Sequence, residues 1–189
     1  MHQSHPELTE ALKTMLDRLH ESITASGYDG EPVVMYLAGG MAVHYHCGTR
    51  YTNDVDATFS KRLLLSGRDM TVTYSRADGK VATIYLDLTY NDVFALMHPD
   101  YQADSEEWNG IGNEDRMIRL RVLNPVDLAV SKLSRFSAQD RDDIASLGRT
   151  GRLTAQLLRQ RASEALDYYV GDTRWIQQSI DIVSMELPQ

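Results

Sequence analysis

The chain has 189 residues, of which 42% are hydrophobic and 24% are charged, and its formal net charge is −8. This composition fits one substantial core or a small two-lobed unit, and it excludes a disordered chain. The acidic balance argues against a protein that coats nucleic acid by neutralising many phosphates. No apolar run approaches the roughly 20 residues that a bilayer crossing needs, so we expect no membrane span.

The N-terminus and the cysteine content indicate the compartment. Residues Met1–Pro6 lack the basic and apolar regions of a secretory signal peptide. The single cysteine, Cys47, cannot form an intrachain disulfide, which agrees with a reducing environment. We therefore expect a cytoplasmic protein in which Cys47 is a small packing side chain rather than a nucleophile.

The first elements in the chain lead to a glycine turn. Apolar residues at helical spacing predict an amphipathic helix over Pro6–Ser26, which ends at Gly27–Pro32. Val33–Leu37 is a short apolar run rich in branched residues, and it predicts a buried strand. Gly39 and Gly40 then let the backbone turn tightly into a second helix, whose first N–H groups attract phosphate.

Two aspartates follow the glycine turn. Asp54 and Asp56 open the apolar segment Val55–Phe59, where strand alternation places both carboxylates on one face. Hard oxygen ligands suit Mg²⁺, which typically takes one or two protein carboxylates together with substrate phosphates. The glycine turn and the two carboxylates together predict a cradle for Mg²⁺ and a nucleoside triphosphate.

A hairpin comes next and carries a third acidic residue. Met70–Ser75 and Val81–Thr89 flank Asp78-Gly79, a pair that tolerates the positive φ of a tight turn. In the second arm, Ile84, Leu86 and Leu88 alternate with polar residues, so one face is core and the other face carries Asp87. Asp87 is therefore the candidate third carboxylate.

The rest of the chain is predicted to be mainly helical. Tyr90–Asn113 has no regular period, Arg116–Leu123 alternates like a strand, and helices follow from Pro125, the last two over Leu153–Tyr169 and Thr173–Met185. We expect an α+β fold in which a mixed β-sheet is flanked by helices. Residues 1–123 would form an α/β core with its leading helix, and residues 124–189 a helical lobe of one compact unit, with a cleft between the lobes.

The ordered motifs resemble the nucleotidyltransferase superfamily that includes DNA polymerase beta. Its signature is a Gly-Ser or Gly-Gly turn, then Asp-x-Asp, then a later strand carboxylate, and Gly39, Gly40, Asp54 and Asp56 match it. The resemblance supports Asp87 as the third acid. The run Arg50-x-Thr52-x-Asp54-Val55-Asp56 is similar to the branch of abortive-infection nucleotidyltransferase toxins and their uncharacterised bacterial relatives.

A second match lies in the helical part. It comprises Asn124-Pro125-x-Asp127-Leu128-x-x-x-Lys132-Leu133 and then Asp140-Arg141-x-Asp143-Ile144-x-x-Leu147. The resemblance implies that Lys132 reaches away from the core to neutralise the triphosphate, with Arg50 as a second, planar cation. Asp140 and Asp143 would orient Lys132 or touch substrate. A solvent-exposed charged helix is the alternative for these two aspartates.

The resemblance implies a metal-dependent nucleotidyltransferase. It would move a nucleoside monophosphate to an RNA end, such as that of tRNA, or to a protein side chain, as a toxin paired with an antitoxin. Asp87 would either complete the Mg²⁺ site or take the acceptor proton. Two alternatives stay open: a non-catalytic nucleotide- or protein-binding module of the same fold, and a small-molecule nucleotidyltransferase acting on an acceptor such as an aminoglycoside, with an acidic pocket at Asp104, Glu106 and Glu107.

Two further groups of residues allow two interpretations each. Most cations between Arg116 and Arg161 either face a polyanion or form a solvated helical surface with ordinary ion pairs. His44 and His46 are two residues apart on a predicted helix, so they do not share a face, and packing is favoured over metal ligation.

Overall fold

The computed structural model describes residues 5–48, 50–65 and 70–189. Residues 1–4 lie outside the described residues. They are part of the N-terminal segment that was compared above with a secretory signal peptide. Within the described residues the fold is α+β with six α-helices and two mixed β-sheets, which confirms the predicted class. The chain divides into two compact units, one with the described residues up to Tyr90 plus Glu106–Val122, and the other with Asn91–Ser105 and Leu123–Gln189.

The first unit contains both sheets and two helices. Its elements are α1 (Pro6–Ala25), β1 (Val33–Leu37), α2 (Gly39–Cys47), β2 (Asp54–Val55), β3 (Ala57–Phe59), β4 (Thr71–Ser75), β5 (Val81–Leu86), β6 (Glu106–Glu107) and β7 (Ile118–Val122). The leading helix α1 confirms the prediction, and it packs its apolar face against β4 and β7. None of the helices in the described residues combines the length and apolar character that a bilayer crossing requires.

The larger sheet has the strand order β3-β1-β7-β6. β1 runs parallel to β7, with Val33 opposite Ile118, and antiparallel to β3. The alternation predicted for β7 is confirmed, since Ile118, Leu120 and Val122 are fully buried while Arg119 is exposed. This sheet places the C-terminal end of β1 directly before the glycine turn.

The smaller sheet has the order β2-β5-β4 and contains the predicted hairpin. β4 and β5 pair antiparallel with Ser75 opposite Val81, and Gly79 in the loop has a φ of +79°. β2 runs parallel to β5, with Asp54 opposite Tyr85. The hairpin therefore supports the short strand on which the first aspartate lies.

The predicted strand Val55–Phe59 is divided between the two sheets, which corrects the sequence interpretation. The backbone changes partners at Asp56: the carbonyl of Val55 accepts from the N–H of Asp87 at 3.1 Å, whereas the carbonyl of Asp56 accepts from Ala38 at 2.8 Å. β3 then pairs with β1. Asp56 thus lies where the chain leaves one sheet and enters the other.

The second unit is helical, as predicted from Pro125 onward. Its elements are a 3₁₀ turn (Asp92–Phe94), α3 (Pro125–Ser131), α4 (Ala138–Arg149), α5 (Ala155–Leu166) and α6 (Arg174–Ser184). α5 packs against α3 and α6, and α4 also contacts both of these helices. The side chain of Asn124 caps α3, and Ser137 with Asp140 forms a capping box on α4.

A buried carboxylate and an arginine connect the parts of this unit. Asp127, 1% exposed, accepts hydrogen bonds from Nε and Nη2 of Arg161 at 2.6 and 2.8 Å, and from Asn124 at 2.6 Å. Nη2 of Arg161 also donates to Asp104 at 2.6 Å. Burial works to lower the pKa of Arg161, but the hydrogen bonds and charges of the two aspartates raise it above its ordinary value.

We expect Arg161→Ala to lower the free energy of unfolding by about 3 kcal/mol or more, because Asp127 would keep a buried charge without its cation. Arg159→Ala is the matched control, since Arg159 lies on the same helix and pairs with the exposed Asp181, an interaction worth about 0–1 kcal/mol. Urea denaturation measures both variants. Equal losses would show that the Asp127 pair contributes no more than a surface ion pair.

Candidate active site

The glycine turn and Asp56 are in direct contact. Gly39 has a φ of +58°, and a Cβ at this position would overlap Oδ2 of Asp56 and lie 2.7 Å from its Cγ. The residue must therefore be glycine for two reasons, the left-handed backbone and the carboxylate that lies where a side chain would be. Ala38, the N-cap of α2, has no polar side chain that would cap the helix.

The second glycine is in contact with the loop that leads to Asp54. A Cβ on Gly40 would lie 2.7 Å from Oγ1 of Thr52 and 3.3 Å from Cζ of Arg50. The hydroxyl of Thr52 donates to Oδ1 of Asp54 at 2.5 Å. The structure therefore brings six of the predicted site residues together around one turn: Gly39, Gly40, Arg50, Thr52, Asp54 and Asp56.

His44 supports this loop from α2. The ring is 1% exposed, and its Nδ1 lies 3.1 Å from the carbonyl oxygen of Arg50, which can only accept. Burial lowers the pKa of His44, so the neutral ring with its proton on Nδ1 is favoured. The packing role predicted for His44 is confirmed, but the sequence did not indicate that the ring positions Arg50.

Tyr51 and Glu7 form a second brace on the same loop. The hydroxyl of Tyr51 donates to Oε1 of Glu7 at 2.6 Å, and this hydrogen bond raises the pKa of Tyr51 to about 12. The guanidinium of Arg76 lies 4.2 Å from the Tyr51 ring centroid, and the ring of His5 is tilted against that of Tyr51 with the two centroids 3.8 Å apart. The sequence missed this brace because its members are separated along the chain and follow no local pattern.

Asp87 lies at the end of β5 beside Asp56, but not on the strand as predicted. β5 ends at Leu86, and Leu88 is 48% exposed instead of being in the core. The reason is a local turn: Oδ1 of Asp87 accepts from the N–H and the hydroxyl of Thr89 at 2.8 and 2.6 Å, which competes with continued strand pairing.

The carboxylates of Asp54 and Asp56 are hard oxygen ligands of the kind that Mg²⁺ takes. Among the residues that the structure describes, no three His, Cys, Asp or Glu side chains form a group able to hold a metal ion. Two carboxylates at a glycine turn fit an ion that draws its remaining ligands from substrate phosphates and water. The three-carboxylate site with Asp87 stays a prediction.

Lys132 lies in the second unit, and its side chain is buried although we expected it to reach away from the core. Its side chain is 6% exposed, and Nζ lies 2.8 Å from Asp143 and 3.5 Å from Asp140. The amine does not reach away from the core, because two buried carboxylates on α4 attract it. Asp140 and Asp143 are likewise buried, so the solvent exposure in the alternative is wrong, but the local capping that it included is present in the capping box of Ser137 and Asp140. A role of this cluster at the triphosphate stays a prediction.

Asp140, one of the two carboxylates beside Lys132, is strongly held in its ionised form. Burial acts to raise the pKa of Asp140, but hydrogen bonds from Arg135 and Ser137 and the charge of Lys132 outweigh it and hold the pKa well below its usual range. Arg135 binds this carboxylate through Nε and Nη2 at 2.8 and 2.6 Å. Lys132 therefore lies beside a carboxylate that stays charged at neutral pH.

Several of the arginines between Arg116 and Arg161 form ion pairs inside their own unit, which favours the surface interpretation over a polyanion site. The paired arginines are Arg116, Arg135, Arg141, Arg159 and Arg161. Of the acidic residues considered for a small-molecule acceptor, Asp104 pairs with Arg161, and Glu106 and Glu107 form the short strand β6.

Comparison with known proteins identifies the family. No curated protein matches the chain. A family model described as "Nucleotidyltransferase of unknown function (DUF6036)" matches residues 14–184, which is most of the sequence and includes all the predicted site residues. The chain therefore belongs to this family of nucleotidyltransferases of unknown function.

Proposed function

We propose that the protein is a Mg²⁺-dependent nucleotidyltransferase that moves a nucleoside monophosphate from a nucleoside triphosphate to a hydroxyl group of an RNA end, such as that of tRNA, or of a protein side chain. The observation that carries this proposal is the contact between Asp56 and Gly39, with Asp54 bound to Thr52 against Gly40. The family assignment supports the reaction class.

The chemistry assigned to the site is a single displacement at phosphorus. The acceptor oxygen attacks the α-phosphorus, the bond from that phosphorus to the oxygen bridging to the β-phosphate breaks, and pyrophosphate leaves. Bound Mg²⁺ would supply charge stabilisation for the attacking and leaving oxygens. Asp54 and Asp56 would hold the ion, and the N–H groups of the first turn of α2 would bind the phosphates.

Asp87 is proposed to receive the proton of the acceptor hydroxyl. Its Oδ1 is occupied by Thr89, whereas Oδ2 accepts no hydrogen bond from the residues that the structure describes. A carboxylate with one free oxygen beside Asp56 suits a general base. This arrangement supports the proton-accepting role more than the metal-binding role that the sequence left open.

The cellular role forms part of the same proposal. The similarity of the Arg50–Asp56 run to toxin-type nucleotidyltransferases favours a cytoplasmic toxin with an antitoxin partner. A non-catalytic nucleotide-binding module is the second candidate. Incubation with labelled triphosphates, Mg²⁺ and cell extract distinguishes the two, because only the enzyme labels an acceptor.

Asp54→Asn and Asp56→Asn are each expected to weaken triphosphate binding in Mg²⁺ by about tenfold or more, since the amide removes a charged ligand while nearly keeping its shape. Without Mg²⁺ the variants and the wild type should bind alike. Asp29→Asn, an exposed aspartate outside the site, is the control. Calorimetry with and without the metal measures this. Equal affinity in all proteins under both conditions would contradict the metal cradle.

Gly39→Ala is expected to abolish measurable triphosphate binding, because the new methyl group would displace the carboxylate of Asp56. Gly79→Ala is the matched control, since Gly79 also has positive φ but a Cβ there would meet no atom within 4 Å. Both variants should lose about 1–2 kcal/mol of stability from the left-handed backbone. Triphosphate titration beside thermal melting measures both effects. If Gly39→Ala still binds triphosphate, the contact between Gly39 and Asp56 is not needed for triphosphate binding.

Lys132→Ala is expected to lower the free energy of unfolding by about 3–5 kcal/mol, because two buried carboxylates would lose their cation. If Lys132 also neutralises the triphosphate, transfer per folded molecule falls as well. Arg135→Gln is the control, since it weakens the same cluster but keeps the lysine. Labelled-nucleotide transfer is measured at a temperature where melting shows each variant folded. Full transfer by folded Lys132→Ala would leave the lysine with a structural role alone.

A further inference from the structure

A cavity of about 380 Å³ in the first unit lies beside the proposed site. Its wall starts at Ala57, the residue after Asp56, and continues along β3 to Phe59. A second wall contains Asp87 and the turn that follows it, with Leu88 and Tyr90. The cavity is therefore lined by one candidate acid, Asp87, and by Ala57, the neighbour of the other.

The third wall carries positive charge. Lys61 and Arg62 line the cavity together with Leu63 and Leu65. The amine of Lys61 is held by Tyr28, lying 4.7 Å from the ring centroid and bonding its hydroxyl. Arg62 is exposed and has no ion-pair partner among residues 5–48, 50–65 and 70–189. Two adjacent cations give this cavity a local positive charge in a chain whose net charge is −8, and such charge attracts anions.

The lining combines features that suit a phosphorylated sugar. Arg62 offers a planar fork of donors for a phosphate group, and Asp87 offers a carboxylate oxygen for a hydroxyl. Leu63, Leu65 and Leu88 supply apolar surface, and the aromatic rings of Phe59 and Tyr90 suit a base or a sugar face. The volume lies within the range of roughly 300–1,000 Å³ that is typical of small-ligand sites.

We propose that this cavity is the acceptor subsite, and that it takes a phosphate-bearing sugar whose phosphate contacts Arg62 and whose hydroxyl faces Asp87. The inference rests on the proposed function, because it assigns the second substrate of the same reaction. It replaces the choice between an RNA end and a protein side chain with an acceptor hydroxyl that belongs to a phosphate-bearing sugar. The chemistry is shared by a free nucleotide or sugar phosphate and by the end of an RNA strand.

The test measures binding by calorimetry to the full chain in the presence of Mg²⁺ and a saturating non-hydrolysable triphosphate. The three probes are ribose 5-phosphate, adenosine 5′-monophosphate and a short RNA with a 5′-phosphate and a free 3′-hydroxyl. Arg62→Ala should weaken binding about tenfold through the lost charge-assisted hydrogen bonds. Leu88→Trp should weaken it similarly by filling the cavity while leaving its charge unchanged.

Two control variants separate the cavity from general effects. Lys80→Ala removes an exposed cation from the hairpin loop, and Val81→Trp adds a large side chain at an exposed hairpin position. Neither should change the affinity for any probe. Equal weakening in Arg62→Ala and Lys80→Ala would indicate non-specific attraction and overturn the proposal.

The remaining outcomes identify the ligand or reject the subsite. Tight binding of ribose 5-phosphate or the monophosphate identifies a free metabolite as the source, whereas binding of the RNA alone identifies a strand end. Competition between these probes and the triphosphate would overturn the proposal, since the cavity would then belong to the nucleotide. Arg62-dependent binding of an unphosphorylated serine peptide would overturn it too. If the wild type binds the probes but binds no triphosphate, the proposed nucleotidyltransferase function is wrong. The cavity would then still be a binding site for a phosphate-bearing sugar.

Discussion

The site depends on the close approach of the Asp56 carboxylate to the backbone of Gly39. A side chain at residue 39 would occupy the position of that carboxylate, and the backbone there has the left-handed conformation that glycine adopts at least cost. The contact joins the start of α2 to the crossing point of the two sheets. The helix terminus and the acidic residues therefore cannot be moved independently of one another.

Arg50 and Tyr51, which lie between α2 and β2, are held by side chains of α2 and α1. His44 binds the carbonyl of Arg50, and Glu7 binds the hydroxyl of Tyr51. Loops of this kind run over the surface and are ordinarily mobile, but here a neutral buried ring and a carboxylate anchor consecutive residues. Because Arg50 and Tyr51 are already held in place, the neighbouring Thr52 loses less conformational freedom when Asp54 binds a ligand.

Features encoded in local patterns could be predicted from the sequence, and those that depend on distant partners could not. The alternation of β7 and the positive φ at Gly79 follow from neighbouring residues, and both are confirmed. The burial of Lys132 depends on Asp143, whose carboxylate only the tertiary packing brings within 2.8 Å of Nζ. Likewise, the division of the predicted strand at Asp56 depends on which sheet each half meets, and strand propensity carries no information about that choice.

The two units are interleaved along the chain, and this affects how the protein is made. β7, which pairs with β1 in the larger sheet, comes 80 or more residues after it in the chain. The larger sheet therefore cannot be completed until Val122 has been synthesised. The stretch Asn91–Ser105 is translated before the helices of its own unit. The ion pair between Asp104 and Arg161 therefore forms only after Arg161 has been synthesised. While the chain is being synthesised, an incomplete sheet and an unpartnered segment are therefore exposed at the same time, and such surfaces are prone to aggregation.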